Sequence, residues 1–156
     1  MLVFRIVKLK IRTEDLSGIG SFTYGGRWNN EGVYAVYSSE HEALAILENL
    51  VHFEESEFPE NMFRMTIRID DTAPVYTVLP TELPENWRVP ENTKLKQLGG
   101  RILQSNQFLA IKCPSAIVPD SFNYILNPLY PGYHDLVKVI EVKKIELDQR
   151  LQKRSG

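Results

Sequence analysis

Between Ser39 and Phe53 the chain carries the pattern that most narrowly dictates its own local structure. Ser39 followed three residues later by Glu42 forms a capping-box signature, and Ala43, Leu44, Ile46, Leu47, Leu50 and Val51 recur at helical spacing. At about 100° per residue these six make one apolar arc, so an amphipathic helix from Ser39 to about Phe53 must lie against a core. Glu48 falls roughly 40° beyond Leu44, at the edge of that arc. A carboxylate so placed is partly desolvated and calls for a cation or a hydrogen-bond donor beside it. Pairing with His52, one turn on, is the surface alternative.

Strand patterns surround this helix. Leu2 to Leu9 alternates Val3, Arg5 and Val7 against Leu2, Phe4 and Ile6, and Asn61 to Ile69 alternates Met62, Arg64, Thr66 and Arg68 against Phe63, Met65, Ile67 and Ile69. Val33 to Tyr37, Pro74 to Val78, Asn123 to Leu126 and Leu136 to Leu147 are further strand candidates, as are two pieces flanking Pro114, Phe108 to Ile111 and Ser115 to Val118. Ser17-Gly18-Ile19-Gly20 opens an expected irregular loop that runs to Arg27, and the prolines from Pro80 to Pro90 mark a second loop. Thr93 to Gln104 reads as a short helix interrupted at Gly99-Gly100, and the charged tail from Asp148 as a helical turn or a frayed end. With no repeat, linker or low-complexity stretch, residues 1–156 are expected to form a single α+β domain dominated by strands, with a few short helices.

Composition narrows the partners. Eighteen basic residues against 20 acidic ones leave a net charge of −2, which does not support a phosphate-tracking surface for nucleic acid. Cys113 is the single cysteine, so an intramolecular disulfide and a thiolate zinc cluster are excluded, and it reads as a small buried hydrophobe rather than a nucleophile. The opening MLVFRIVKLK interleaves apolar and basic residues where a signal peptide needs an uninterrupted apolar core, and no later run approaches membrane-spanning length. The expected compartment is the cytoplasm, without membrane or metal. Walker A, G-x-G-x-x-G and G-x-S-x-G strings are absent, and His41-Glu42 begins an H-E-x-x-H motif that is never completed.

The candidate site lies on either side of the helix start. In Gly25-Gly26-Arg27-Trp28-Asn29 two glycines permit close backbone approach to a ligand, and Arg27 offers a planar fork of donors for phosphate oxygens. A plain turn with a surface arginine is the competing reading, and Trp28 is expected to pack. Tyr34 and Tyr37 would face opposite sides of a strand, one towards the core and one towards a cleft. Ser39 reads as the helix cap, at a helix start whose free N–H groups favour an anionic ligand group. Ser115, between Pro114 and an apolar run, needs a partner if buried and could orient Glu48 or a ligand ribose. Asn123 and Asn127 read as turn residues. From the residues alone this is an anion or nucleotide site.

Taken together, SGIGSFTYGGRWNNEGVYAVYSSEHEALAILENLVH and CPSAIVPDSFNYILNPLYP resemble the RES domain, the toxin component of bacterial RES–Xre toxin–antitoxin systems, named for its Arg, Glu and Ser. The resemblance spans nearly the whole chain, from Phe4-Arg5 through Leu83-Pro84-Glu85-Asn86-Trp87 to Asn127-Pro128. It implies an ADP-ribosyltransferase-like fold and cleavage of the nicotinamide–ribose bond of NAD by hydrolysis or phosphorolysis, with NAD as substrate and no cofactor. It places the family's arginine at Arg27, its glutamate at Glu48, its serine at Ser115 and its tyrosine at Tyr37; Glu48, Arg27 and Ser115 are then the expected catalytic residues, and Arg27, Tyr37 and Ser115, with Ser39 from the helix start, the expected NAD contacts. It further implies an Xre-like helix-turn-helix antitoxin that blocks the active site. A protein mono-ADP-ribosyltransferase is the enzymatic alternative, and a catalytically silent antitoxin-binding module the non-enzymatic one. Two stretches depart from the family pattern: Asn127-Pro128-Leu129-Tyr130-Pro131 stands where N-P-x-H-P is usual, and Gly99-Gly100-Arg101-Ile102 where G-D-x-W is frequent.

Overall fold

The computed structural model describes residues 1–52 and 60–151. Seven strands form one sheet: β1 (Leu2–Val7), β2 (Val36–Ser39), β3 (Met62–Ile69), β4 (Val75–Thr77), β5 (Ala110–Pro114), β6 (Phe122–Leu126) and β7 (Val137–Ile145). Their order is β4-β5-β6-β2-β1-β3-β7, antiparallel throughout except for the β4–β5 pair. Helices α1 (Ile19–Tyr24), α2 (Glu42–Leu50), α3 (Thr93–Gln104) and α4 (Tyr133–Leu136) join them.

Alternation in β1 and β3 sets two faces, as a period of two requires. One face buries Val3, Val7, Met65, Ile67, Ile69, Val36 and Leu126 beneath Tyr133 of α4. The other holds two separate apolar clusters. Ile6, Met62, Ala45 and Leu50 pack under α2, while Ile111, Cys113 and Ile125 pack with Leu95, Leu98, Ile102 and Trp28 under α3. Between those clusters the same face turns polar along Tyr37, Ser39 and Asn123.

Several local expectations give way to tertiary context. The strand expected at Val33 to Tyr37 runs instead over Val36–Ser39, because its register is fixed by β6, Val36 opposite Leu126 through Ser39 opposite Asn123. Ser39 is therefore a strand residue and not the helix cap; His41 occupies that position without a side-chain cap bond. Tyr34 lies outside the strand and stacks on Phe22 of α1, a short helix where an irregular loop was expected. Helix α2 ends at Leu50, and the expected end at Phe53 lies outside the described residues. Its buried residues are Leu44, Ala45 and Leu50, whereas Leu47 and Val51 are 39% and 51% exposed, so the inward face is rotated from the apolar arc towards Glu48. Ser115 to Val118 forms no strand; β5 stops at Pro114 and the chain bends. Helix α4 and the 3-10 turn Pro80–Glu82 were not anticipated, and the tail from Asp148 makes a 3-10 turn at Gln149–Leu151.

Helix α3 runs through Gly99-Gly100 without interruption, with Asn92 as its cap accepting from the Leu95 N–H. Close packing explains the first glycine: a Cβ at Gly99 would overlap the Trp28 carbonyl oxygen, whereas one at Gly100 meets nothing within 4 Å. Gly99→Ala should therefore destabilise by about 1–3 kcal/mol through overpacking. Gly100→Ala should stabilise by about 0.5–1 kcal/mol through helix propensity. Thermal unfolding of the two variants checks the contrast, and a Gly99→Ala protein as stable as its parent would contradict the packing.

Candidate functional site

Gly26 and Asn29 bond to each other in both directions, Gly26 N–H to Asn29 O at 3.0 Å and Asn29 N–H to Gly26 O at 3.4 Å, which puts Arg27 and Trp28 at the tip of a tight turn. Gly25 sits at φ +70, a left-handed conformation that glycine adopts without strain. Gly26 is needed for another reason, since a Cβ there would lie 2.5 Å from the Tyr37 hydroxyl. Trp28 turns inward and is 2% exposed, packed under α3. Arg27 stays half-buried and reaches the loop before α3, donating from Nη1 to the carbonyls of Arg88 at 2.9 Å and Trp87 at 3.4 Å.

Tyr37 holds this turn from below. Its hydroxyl accepts from the Trp28 N–H at 2.9 Å and donates to Asn29 Oδ1 at 2.7 Å, and burial pushes the phenol's pKa up, keeping it a donor. Asn29, fully buried, donates from Nδ2 to the carbonyls of Ser21, Asn30 and Val33 at 2.9, 3.0 and 3.0 Å. From behind the sheet, Arg5 Nη1 donates to the Tyr37 carbonyl at 2.8 Å. A ring, an amide and a guanidinium thus fix the loop that presents Arg27.

Glu48 comes from α2 into the polar strip. Its Oε1 accepts from Ser115 Oγ at 2.7 Å and from Asn123 Nδ2 at 2.6 Å. Ser115 is 2% exposed, and its Oγ also accepts from the N–H groups of Ile117 and Val118, each at 3.0 Å. With both acceptor positions filled by the backbone, its one proton is directed at the carboxylate. The Ser115 hydroxyl is thereby committed to the Glu48 carboxylate. Ser39, 3% exposed, donates to Asn123 Oδ1 at 2.7 Å.

The residues singled out in the sequence are thus brought together in two groups, Arg27 with Tyr37 and Glu48 with Ser115 and, through Asn123, Ser39. Arg27 and Glu48 make no ion pair among the described residues; the carboxylate is satisfied by neutral donors instead. His52 does not pair with Glu48 among those residues either. Both charges nonetheless bear on Cys113: burial pushes that thiol's pKa well up, Glu48 adds to the rise and Arg27 opposes it. Cys113, with no exposed surface, lies within β5 under α3. Asn29 and Asn123 are the hydrogen-bonding residues of this candidate site that sequence reasoning missed. Asn123 was read as a turn residue and Asn29 was given no role of its own; only the pairing of Ser39 with Asn123 across β2 and β6 could have indicated the second. Among the described residues no group of acidic, His or Cys side chains is arranged to hold a metal ion.

A cavity of about 450 Å³ lies elsewhere, along α3, lined by Lys96, Arg101 and Gln104 and by Asn30 and Val33. Its lining carries no carboxylate.

A mixed sheet flanked by short helices, with a tethered carboxylate between two apolar clusters, makes this an α+β protein. The fold is shared with a chain of the M. tuberculosis MbcT–MbcA toxin–antitoxin complex, at a TM-score of 0.70 and 15% identity, over 92% of this chain and 83% of that one. The RES domain matches residues 2–148, and the chain belongs to the RES domain family. A relative from Yersinia enterocolitica named "Toxin Res" is 31% identical over 153 residues, covering 97% of this chain and 100% of the relative. A "Prs ADP-ribosylating toxin" from a Sphingobium species is 33% identical over 145 residues, 91% of this chain and 89% of that protein. No helix among the described residues is long and apolar enough to cross a membrane.

Proposed function

We propose that this RES-family chain is the toxin of a toxin–antitoxin pair and cleaves the nicotinamide–ribose bond of NAD, transferring ADP-ribose to water or phosphate. The observation that carries the reading is the Glu48 carboxylate, fixed through Oε1 by two donors while Oε2 has no hydrogen-bond partner among the described residues. Bond cleavage builds positive charge on the ribose as the pyridinium departs as neutral nicotinamide. The leaving group needs no proton, so the reaction requires a carboxylate to stabilise the ribose cation and no general acid at nitrogen.

In this mechanism Oε2 of Glu48 faces the ribose hydroxyls and the developing cation, and Ser115 keeps the carboxylate in place. Arg27 binds the diphosphate with the guanidinium N–H groups that the Trp87 and Arg88 carbonyls leave available. Tyr37 holds the Arg27 turn through its hydroxyl and offers its ring to the nicotinamide. Water attacking the ribose carbon gives ADP-ribose, nicotinamide and a proton; phosphate gives ADP-ribose-1″-phosphate and nicotinamide. Incubating the purified protein with NAD, with and without phosphate, and identifying the products distinguishes these acceptors.

The Sphingobium relative's name favours a second reading, transfer of ADP-ribose to a protein. Mass spectrometry of cellular proteins after expression, set beside the total NAD pool, separates the two: a modified protein with an undiminished pool supports transfer. The toxin reading carries an Xre-like antitoxin that covers the cleft. Its addition should abolish NAD turnover, and unchanged turnover in a formed complex would contradict a blocked cleft.

A further inference from the structure

We infer that Asn123 is a positioning residue for Glu48 and that Ser39 acts through it, the two forming a relay that leaves Oε2 as the one reactive carboxylate oxygen. The inference rests on the NAD-cleaving reading for its consequence but on geometry alone for its parts. Ser39 and Asn123 are directly opposed across β2 and β6, so their side chains share a face and meet at 2.7 Å. Glu48 can only accept, which requires Asn123 to present its NH₂ group there and its carbonyl oxygen to Ser39. The Ser39 hydroxyl then has one role, to donate to that oxygen and lock the amide against flipping.

Both donors converge on the same oxygen. Ser115 alone would let the carboxylate swing about a single bond; a second donor from a different element fixes its plane. Ser115 is anchored by the bend after β5, and Asn123 is held in the sheet between Ser39 on β2 and Cys113 on β5. Ser39 is buried and its hydroxyl is engaged, so its contribution to NAD binding is indirect. The charged or titratable groups around the relay are Cys113 on β5, Tyr37 on β2, Glu40 bonded to the Phe122 N–H, Lys112 over the Phe122 ring and the more distant Arg27.

Asn123→Asp tests the relay because it keeps the shape and reverses one partner. The Ser39 bond survives, but an oxygen now faces Glu48 Oε1, and two carboxylates at that separation repel until one proton is taken up and shared between them. Turnover of Asn123→Asp should be at least about tenfold below wild type at pH 8, with KM for NAD little changed, and should recover towards pH 5–6 as the shared proton restores a donor. Asn123→Ala should be slow at every pH, and Ser39→Ala should lose turnover to a lesser degree. A second readout needs no NAD. The shared proton raises a folded-state pKa, so its stabilisation is present at low pH and lost as pH rises, and the deficit in Tm of Asn123→Asp against wild type should narrow as pH falls. Wild type inert towards NAD together with a narrowing Tm deficit would overturn the NAD reading and leave the relay standing. A Tm deficit independent of pH, or an Asn123→Asp turnover profile matching wild type, would overturn the relay.

Discussion

Replacing Glu48 by glutamine is expected to lower NAD turnover by about 10²–10³-fold while KM stays within about threefold of wild type. The substitution keeps size and shape. Ser115 and Asn123 can still donate to the remaining carbonyl oxygen at Oε1, so the helix and the cleft should be undisturbed. What is lost is the negative charge, and with it the stabilisation of a ribose cation that exists only in the transition state. A loss confined to KM would mean that Glu48 merely binds substrate. Thermal unfolding of the same variant should be close to wild type, which separates a chemical defect from a folding one.

Asn29→Ala should have the largest effect on stability. Asn29 is fully buried and its amide serves the carbonyls of Ser21, Asn30 and Val33 and the hydroxyl of Tyr37. Truncation strands several of these groups away from water, at about 1–3 kcal/mol for each one left unsatisfied. A total of at least about 3 kcal/mol is expected, equivalent to a fall in Tm on the order of 10 °C. Because the same amide holds the turn that presents Arg27, the folded fraction at low temperature should bind NAD more weakly while its chemistry at Glu48 persists. KM should therefore rise more than kcat falls, the inverse of the Glu48→Gln result. An Asn29→Ala protein with wild-type Tm would show that the loop is held by other contacts.

The sequence carried the strands with clean alternation and the identity of the helix bearing Glu48, because period and propensity are local properties. β1 and β3 follow the expected spans closely. Where the expectations failed, a partner distant in sequence had decided. Ser39 and Glu42 satisfy the capping-box spacing, yet β6 draws Ser39 into the sheet to meet Asn123. The apolar arc of α2 pointed past Leu47 and Val51, yet the helix buries the Glu48 side because Ser115 and Asn123 wait there to satisfy a carboxylate. Gly99 suggested a broken helix, but its missing side chain admits the Trp28 carbonyl. Arg27, Tyr37, Glu48 and Ser115 were legible as candidates, and so was the pairing of Ser115 with Glu48, whereas the bond from the Arg27 turn to the Tyr37 hydroxyl was not. The carboxylate that called for a cation or a donor is held by neutral donors, with the guanidinium on a separately braced turn. Asn29 and Asn123 stand within the quoted stretches, but only the fold reveals what each of them bonds to.

The most direct test is the release of nicotinamide from NAD by the purified wild-type protein, followed by proton NMR, with the Glu48→Gln protein from the same preparation as background. Free nicotinamide accumulating in step with NAD loss for wild type, and falling to near background for Glu48→Gln, is the expected result. Intact NAD in the presence of folded wild-type protein, or equal release by both proteins, would contradict the assignment of the cleavage to the Glu48 cluster.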